Sequence, residues 1–395
     1  MSIEILKKET LEFAESVFPK IEKKLSAVAE RSKSIIPDGV DESGRHISRK
    51  PSWWTSGFFG ALNLLMYNKT GEEKYLIGAK RSERALDSVL KTPELLHHDV
   101  GFMWHILAGA NYRLRGSVKS KRRNLIAASI LSSRFVLGGN FIRAWNSRSS
   151  YGNCEGGAPT DNWTIIDTMM NLPLLYWASR EVGDDRFARI AMAHADTTMR
   201  THIRPDGSVI HIVEHDRDSG DVVKTYGGQG YADGSSWTRG QAWAIYGFAL
   251  SYLHTGEQRY LDTARRVADY FISELGEDCR VALDFRAPKE PCYYDTTAAA
   301  ISACGMIEIA RALGDGGEKY LRAALGMLKQ LDLEFANYSP DTDDLLTHCS
   351  VRYPALRGDD NPETVRKVTH VSIIYGDFFY TEAILKLLDC EFNPW

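Results

Sequence analysis

The chain has 395 residues, 44% of them hydrophobic and 25% charged, with a formal net charge of −4. That balance fits a soluble globular fold and lacks the basic excess that nucleic-acid binding demands. Nine tryptophans and eighteen tyrosines exceed the needs of a core; aromatic faces also serve as platforms for sugar rings, although burial is the commoner fate of each.

The first segment, near residues 3–25, is amphipathic and helical, with acidic residues interrupting any apolar stretch. No signal peptide fits it and no run approaches a membrane span, so no membrane partner is expected. The six cysteines (Cys154, Cys279, Cys292, Cys304, Cys349 and Cys390) are scattered, which indicates neither a disulfide framework nor a zinc site. A cytoplasmic protein is expected.

Apolar segments then alternate with amphipathic ones. The apolar segments run over about 54–69, 99–114, 167–182, 239–254, 295–313 and 376–390. A recurring junction follows them: Thr70-Gly71-Glu72-Glu73-Lys74-Tyr75-Leu76, Val182-Gly183-Asp184-Asp185-Arg186-Phe187-Ala188 and Thr255-Gly256-Glu257-Gln258-Arg259-Tyr260-Leu261. Leu313-Gly314 and Arg115-Gly116-Ser117 are looser copies. Glycine ends one helix in the left-handed conformation, and acidic residues favour the positive N-terminus of the next. Helices that are apolar nearly all round belong inside and amphipathic ones outside. The expected fold is therefore all-α: one domain over residues 1–395, an (α/α)6 barrel of six inner and six outer helices, with an open solenoid as the competing arrangement. A small β-hairpin is expected where 207–215 alternates and 222–226 pairs with it around Asp218-Ser219-Gly220.

Each inner helix begins with groups too polar or aromatic for its apolar body: Trp53-Trp54-Thr55, His97-His98-Asp99, residues 161–167, Trp237-Thr238-Arg239, Tyr293-Tyr294-Asp295 and Tyr375-Gly376-Asp377. In a ring of parallel inner helices these N-termini converge on one mouth, where backbone donors suit an anionic ligand. Asp99 reads as an N-cap or as a site residue, and Asp295 and Asp377 read as N-caps. Asp167 lies within Trp163-Thr164-Ile165-Ile166-Asp167-Thr168-Met169-Met170, where burying a carboxylate is costly unless it is paired or protonated. Asn171 is on its face and is the expected partner. His97 and His98 are adjacent and so expected to point apart; with no third ligand at usual spacing, no metal is expected. His211 reads equally as a ligand contact or a strand residue. Gln229 sits in a glycine-rich loop that a ligand can approach, and Arg239 and Trp243 share one helical face.

At these residues the sequence resembles the unsaturated glucuronyl hydrolases of glycoside hydrolase family 88, from residue 54 to residue 380. The resemblance is carried by His97-His98-Asp99-Val100-Gly101-Phe102, by Ile165-Ile166-Asp167 with Asn171-Leu172-Pro173-Leu174-Leu175, and by Asp233-Gly234-Ser235-Ser236-Trp237-Thr238-Arg239-Gly240-Gln241-Ala242-Trp243. It implies an (α/α)6 barrel that removes the 4,5-unsaturated uronic acid from the non-reducing end of lyase-generated di- or oligosaccharides of glycosaminoglycan type, without a cofactor. In that resemblance Asp167 matches the general acid/base and Asp99 its partner carboxylate. His211, Gln229, Arg239 and Trp243 match residues that hold the unsaturated uronate, and Trp54 and Trp145 match aromatic walls. Beside these matches, His98 and Trp237, at the starts of their inner helices, are further candidate substrate-binding residues. Three positions depart from the family pattern: Ser56 where an acidic residue is common, Phe59 where tryptophan is, and Gly228 where a histidine often precedes the glutamine.

The rivals are an unsaturated rhamnogalacturonyl hydrolase on the same fold, a sugar epimerase or isomerase using histidines, and a non-catalytic carbohydrate-binding protein. The stretch 348–372 carries Arg352, Arg357, Arg366, Lys367 and His370. It reads as a solvated basic loop, or alternatively as a wall for a sulfate on the second sugar. The oligomeric state is not encoded in any of these patterns.

Overall fold

The alternation of apolar and amphipathic segments becomes two concentric layers in the structure, a computed structural model that describes residues 3–146, 160–354 and 361–395. In chain order the helices are α1 (Ile3–Ser32), α2 (Phe58–Thr70), α3 (Glu73–Ala85), α4 (Ala110–Arg115), α5 (Val118–Ser132), α6 (Leu172–Val182), α7 (Arg186–Thr201), α8 (Thr238–Thr255), α9 (Gln258–Glu274), α10 (Thr296–Leu313), α11 (Glu318–Gln330), α12 (Pro362–Val368) and α13 (Ile374–Leu387). Helices α2, α4, α6, α8, α10 and α13 form the inner ring. Every residue of α8 from Thr238 to Ser251 is buried, whereas its outer neighbour α9 buries one stripe, including Tyr260, Ala264, Val267, Ala268 and Phe271. The inner helices pack in sequence, α6 meeting residues 101–109, which lead into α4, and α13 returns to α2, while α1 lies against α3, α11 and α13. The ring is closed, which decides against the solenoid.

The junction glycines do what their chemistry requires. Gly71 (φ 75°) and Gly256 (φ 73°) end their helices in the left-handed region, and their amides return to the Tyr67 and Tyr252 carbonyls at 2.8 and 2.7 Å. The looser copy at Gly314 differs in kind: its ψ of −125° leads into a 3-10 turn, Gly314–Gly317, before α11 starts. Because inner and outer helices alternate along the chain, all six inner helices run the same way and begin at the same end.

Six short strands and one longer one decorate that frame. β1 (Pro37–Val40) pairs with β2 (His46–Ser48), and β3 (Phe135–Val136) with β4 (Phe141–Ile142). β5 (Trp163–Ile165), β6 (Ile212–His215) and β7 (Val222–Tyr226) form an antiparallel sheet in that order. The β6–β7 hairpin is the one expected. Strand β5 is not: Trp163-Thr164-Ile165 lies where an inner helix is expected to begin, but the edge of β6 captures it, with Trp163 opposite Glu214 and Ile165 opposite Ile212.

Two inner helices also begin differently from expectation. Where the second was expected from residue 99, a π-helical stretch, Gly101–Gly109, precedes α4. Asn171 Oδ1 accepts the Phe102 amide at 2.9 Å, so a side chain enters the backbone ladder there. The third begins as a 3-10 turn, Ile166–Asn171, and becomes α-helical at Leu172 with Pro173 in the first turn.

Two further expectations are corrected. Asp377 is no N-cap: it lies inside the first turn of α13 and accepts the Leu345 and Leu346 amides at 3.2 and 2.7 Å. The helical stretch Thr296–Phe335, which contains α10, is apolar and long enough to meet a membrane-span criterion, yet 78% of its most apolar window is buried inside the barrel. Cys279, Cys292, Cys304, Cys349 and Cys390 are free thiols; Cys154 and Arg357 lie outside the described residues.

Candidate active site

Strand β5 delivers the chain directly into the 3-10 turn that carries Asp167, and the π-helical stretch starts two residues after Asp99. The two irregular inner-helix starts therefore hold the two carboxylates, and Asn171 joins them. Its Nδ2 donates to Asp99 Oδ1 at 3.4 Å and to the Asp167 carbonyl at 3.3 Å, while its Oδ1 takes the Phe102 amide. The expected Asp167–Asn171 link thus runs through the backbone, and the side-chain partner of Asn171 is Asp99. Gly101 has to be glycine: a Cβ there would lie 2.6 Å from Asn171 Oδ1.

Asp99 caps nothing. Its Oδ2 lies 3.3 Å from His97 Nδ1 and 3.5 Å from His98 Nε2. Burial alone would raise its carboxyl, but His98, His97 and the Asn171 amide outweigh burial and hold it below its ordinary value. Asp99 is held in its ionised form. Burial pushes His98 down to about 4, leaving a neutral imidazole whose Nδ1 is 2.9 Å from Thr168 Oγ1. His97 and His98 do not point apart as expected: a ring nitrogen of each and a carboxylate oxygen of Asp99 lie within 4.8 Å of one another. Such a triad has the donor types of a metal site; here it surrounds one carboxylate.

Asp167 has different company. Its Oδ1 is buried without a hydrogen-bond partner among the described residues, and His211 Nε2 is 3.5 Å away. His211 immediately precedes β6, is almost fully buried and packs against Trp237, with ring centroids 4.3 Å apart and the planes tilted by 37°. It leads into the central strand of the sheet, its carbonyl accepts the Ile166 amide at 3.1 Å, and its ring faces a carboxylate.

Arg239 enters from the first turn of α8. Its Nη1 donates to Asp295 Oδ2 at 2.5 Å and to the Ser350 carbonyl, and its Nη2 donates to the Val351 carbonyl at 2.7 Å. The guanidinium lies 4.4 Å over the Trp237 ring. Burial opposes its charge, but Tyr375, Asp295 and Asp167 outweigh that and raise its pKa. Asp295 is the N-cap expected, accepting the Thr297 amide, and it is also the counterion of Arg239, which was missed. The two are 56 positions apart; the only signal was that both start neighbouring inner helices. Gln229 Nε2 donates to the same Val351 carbonyl at 3.0 Å.

The aromatic residues divide. Trp54 is half-buried against Tyr375 and Phe102, at 5.2 and 5.7 Å. Trp145 packs with Trp163, Ile165, Ile212 and Tyr226 in a cluster apart from the main core. Trp243 has no exposed surface and lies against Phe102 and Phe379, at 5.3 and 5.6 Å; it is the floor beneath the site.

A closed helical barrel that gathers two unlike carboxylates, a buried arginine and a set of tryptophans at one end has the make-up of a carbohydrate-active enzyme of the α/α-barrel class. No family model matches the chain. It is 35% identical over 359 residues to the unsaturated glucuronyl hydrolase of Bacillus sp. (strain GL1), covering 89% of this chain and 90% of that one; the crystal structure of the Bacillus sp. GL1 enzyme matches with a TM-score of 0.85 over 95% and 96% of the two chains. An unsaturated chondroitin disaccharide hydrolase of Streptococcus pyogenes serotype M1 is 32% identical over 371 residues, 92% of this chain and 88% of the relative. The structure of an unsaturated glucuronyl hydrolase described as specific for heparin, 27% identical, matches with a TM-score of 0.82 over 97% of each chain. The chain belongs to the unsaturated glucuronyl hydrolase family, and it is a glycoside hydrolase.

Proposed function

We propose that the protein releases the 4,5-unsaturated uronic acid from the non-reducing end of lyase-generated oligosaccharides of glycosaminoglycan type, by hydrating the C4=C5 vinyl ether. The observation that carries this reading is the inequality of the two carboxylates. Asp99 is clasped by two histidines and an asparagine and stays ionised, whereas Asp167 has no such clasp: its Oδ1 is buried without a hydrogen-bond partner among the described residues, with only the His211 ring 3.5 Å away. A pair of acids in such different surroundings divides into a proton donor and a charge stabiliser.

In the proposed reaction protonated Asp167 delivers its proton to C4. Positive charge develops at C5 and the ring oxygen, where the Asp99 carboxylate stabilises it. The Asp167 carboxylate then takes a proton from the water that adds at C5. The hemiketal opens, expels the next sugar and leaves a 4-deoxy-5-keto-uronate. Gln229 and Arg239 hold the uronate, with His98 and His211 beside them. Trp54 and Trp145 wall the sugars, and Trp237 and Trp243 support the ring of contacts from beneath.

The test is a rate panel over unsaturated disaccharides of hyaluronan, chondroitin, heparin and gellan type, following loss of the double-bond absorbance and release of the keto-uronate. Turnover of a glycosaminoglycan-derived disaccharide is expected. Interconversion of free monosaccharides, or binding with absorbance unchanged, would contradict the reading. The same panel, run with and without sulfate, decides whether the basic stretch around Arg352, Arg366, Lys367 and His370 reads that group.

A further inference from the structure

Gly228 departs from the family pattern, and its surroundings give a physical reason. It adopts φ +62°, in the region that favours glycine, and a Cβ on it would run into His211 Nδ1. The turn therefore lies flat over the imidazole. The next residue, Gln229, donates its backbone amide to His211 Nδ1 at 3.0 Å. A ring nitrogen that accepts from an amide carries no hydrogen, so the neutral imidazole has its hydrogen on Nε2. Trp237 supports the ring on one face, and Nε2 points at Asp167 Oδ1, 3.5 Å away.

The turn itself is over-determined. Asp233 Oδ1 accepts the Gly227 amide at 2.8 Å, and the buried Asp284 accepts the Tyr231 and Ser236 amides, each at 3.0 Å. The Gln229 carbonyl accepts the Tyr353 amide at 2.9 Å. A loop pinned from both sides holds its one donor in register with His211.

We infer that the Gly228–Gln229 turn is a tautomer lock: it fixes His211 as an Nε2–H donor to Oδ1 of Asp167, so the proton that Asp167 transfers resides on Oδ2. This rests on the acid/base role proposed for Asp167. In the first step the Oδ2–H bond breaks as C4–H forms at the expense of the C4=C5 π pair, and the negative charge left on Asp167 is met by the His211 hydrogen bond. That bond is stronger to a carboxylate than to a carboxylic acid, so it gains strength as the proton leaves. In the second step Oδ2 takes a proton from water while the water oxygen bonds to C5, and Asp167 is restored. The 3.5 Å gap is longer than a hydrogen bond, and catalytic contacts of this kind tighten when substrate closes the site.

The test has a readout independent of turnover. In ¹⁵N-histidine-labelled enzyme, with His211 assigned by loss of its signals in His211→Gln, Nε2 is expected to carry the hydrogen and Nδ1 to be bare; a hydrogen on Nδ1 would overturn the lock even in a fully active enzyme. In kinetics, His211→Gln places an amide nitrogen near the position of Nε2, whereas His211→Asn places it near Nδ1. Turnover of the glutamine variant is expected to exceed that of the asparagine variant by roughly tenfold, the scale of one charge-assisted hydrogen bond, and equal turnover would count against the lock. Gly228→Ala, which drives a methyl into the ring, is expected to lower kcat by about 10²-fold with a smaller change in KM. A wild-type enzyme that leaves every unsaturated disaccharide untouched would instead sink the functional reading, whatever the tautomer.

Discussion

Asp99 and Asp295 are both buried acids at the start of inner helices, yet their neighbours give them different work. Asp99 meets two neutral-capable imidazoles and an amide, which leave its charge available to a developing cation. Asp295 is consumed by Arg239 at 2.5 Å, by its own helix cap and by the Ser350 amide. This bears on Arg239, whose expected role is to hold the uronate carboxylate. With Asp295 fully buried, Arg239→Ala would strand a charge, an event that costs about 3–5 kcal/mol. The variant is therefore expected to unfold at markedly lower urea concentration than wild type, in addition to any change in KM. An unchanged unfolding midpoint would show that the pair is dispensable to the fold and that Arg239 is free to serve substrate alone.

Regular elements were readable because their causes are local. Left-handed glycines at 71, 116, 183 and 256 punctuate the chain, and apolar surface all round α8 and α10 has nowhere to go but inside. The ends of α8 and α10 fell within a residue of expectation for that reason. What escaped the sequence has non-local causes. The Asn171 side chain turns the start of the second inner helix into a π-helix from 69 positions away. Strand β5 exists because β6, some fifty residues later, offers it an edge. The same division holds for the site. Asp167, Asp99, His211 and Arg239 stood out by residue type and by resemblance, but the pairings Asn171–Asp99, Arg239–Asp295 and Gln229–His211 depend on which helix starts are neighbours in the closed ring.

Closing that ring also buries much of the histidine complement, and this sets how the molecule responds to acid. Burial lowers His46 and His98 to about 4 and His202 and His254 to about 3, from an ordinary 6.5. His105 and His194 are lowered well below 6.5 by the same cause. Below 6.5 the unfolded chain binds protons that the folded chain refuses, so the stability present above 6.5 is lost as pH falls toward 4. Asp377 works the other way. Burial raises it to about 8, so its contribution is present below the ordinary carboxylate pKa and is lost as pH rises through about 8. Burial lowers His215, His348 and His370 as well and raises Glu382; among the described residues nine lowered imidazoles thus oppose two raised carboxyls, and the urea midpoint is expected to be lower at about pH 5 than at about pH 7.5. A midpoint that rose on acidification would mean that these imidazoles are protonated inside the barrel.

The central claim is that Asp167 is the proton donor and acceptor in a barrel that hydrates an unsaturated uronate. The most direct measurement is the rate at which Asp167→Asn removes the double-bond absorbance of a disaccharide that the wild type turns over, alongside its unfolding midpoint. The account predicts a loss of at least about 10²-fold in turnover with the fold intact. Near-wild-type loss of absorbance by a folded Asp167→Asn enzyme would contradict it.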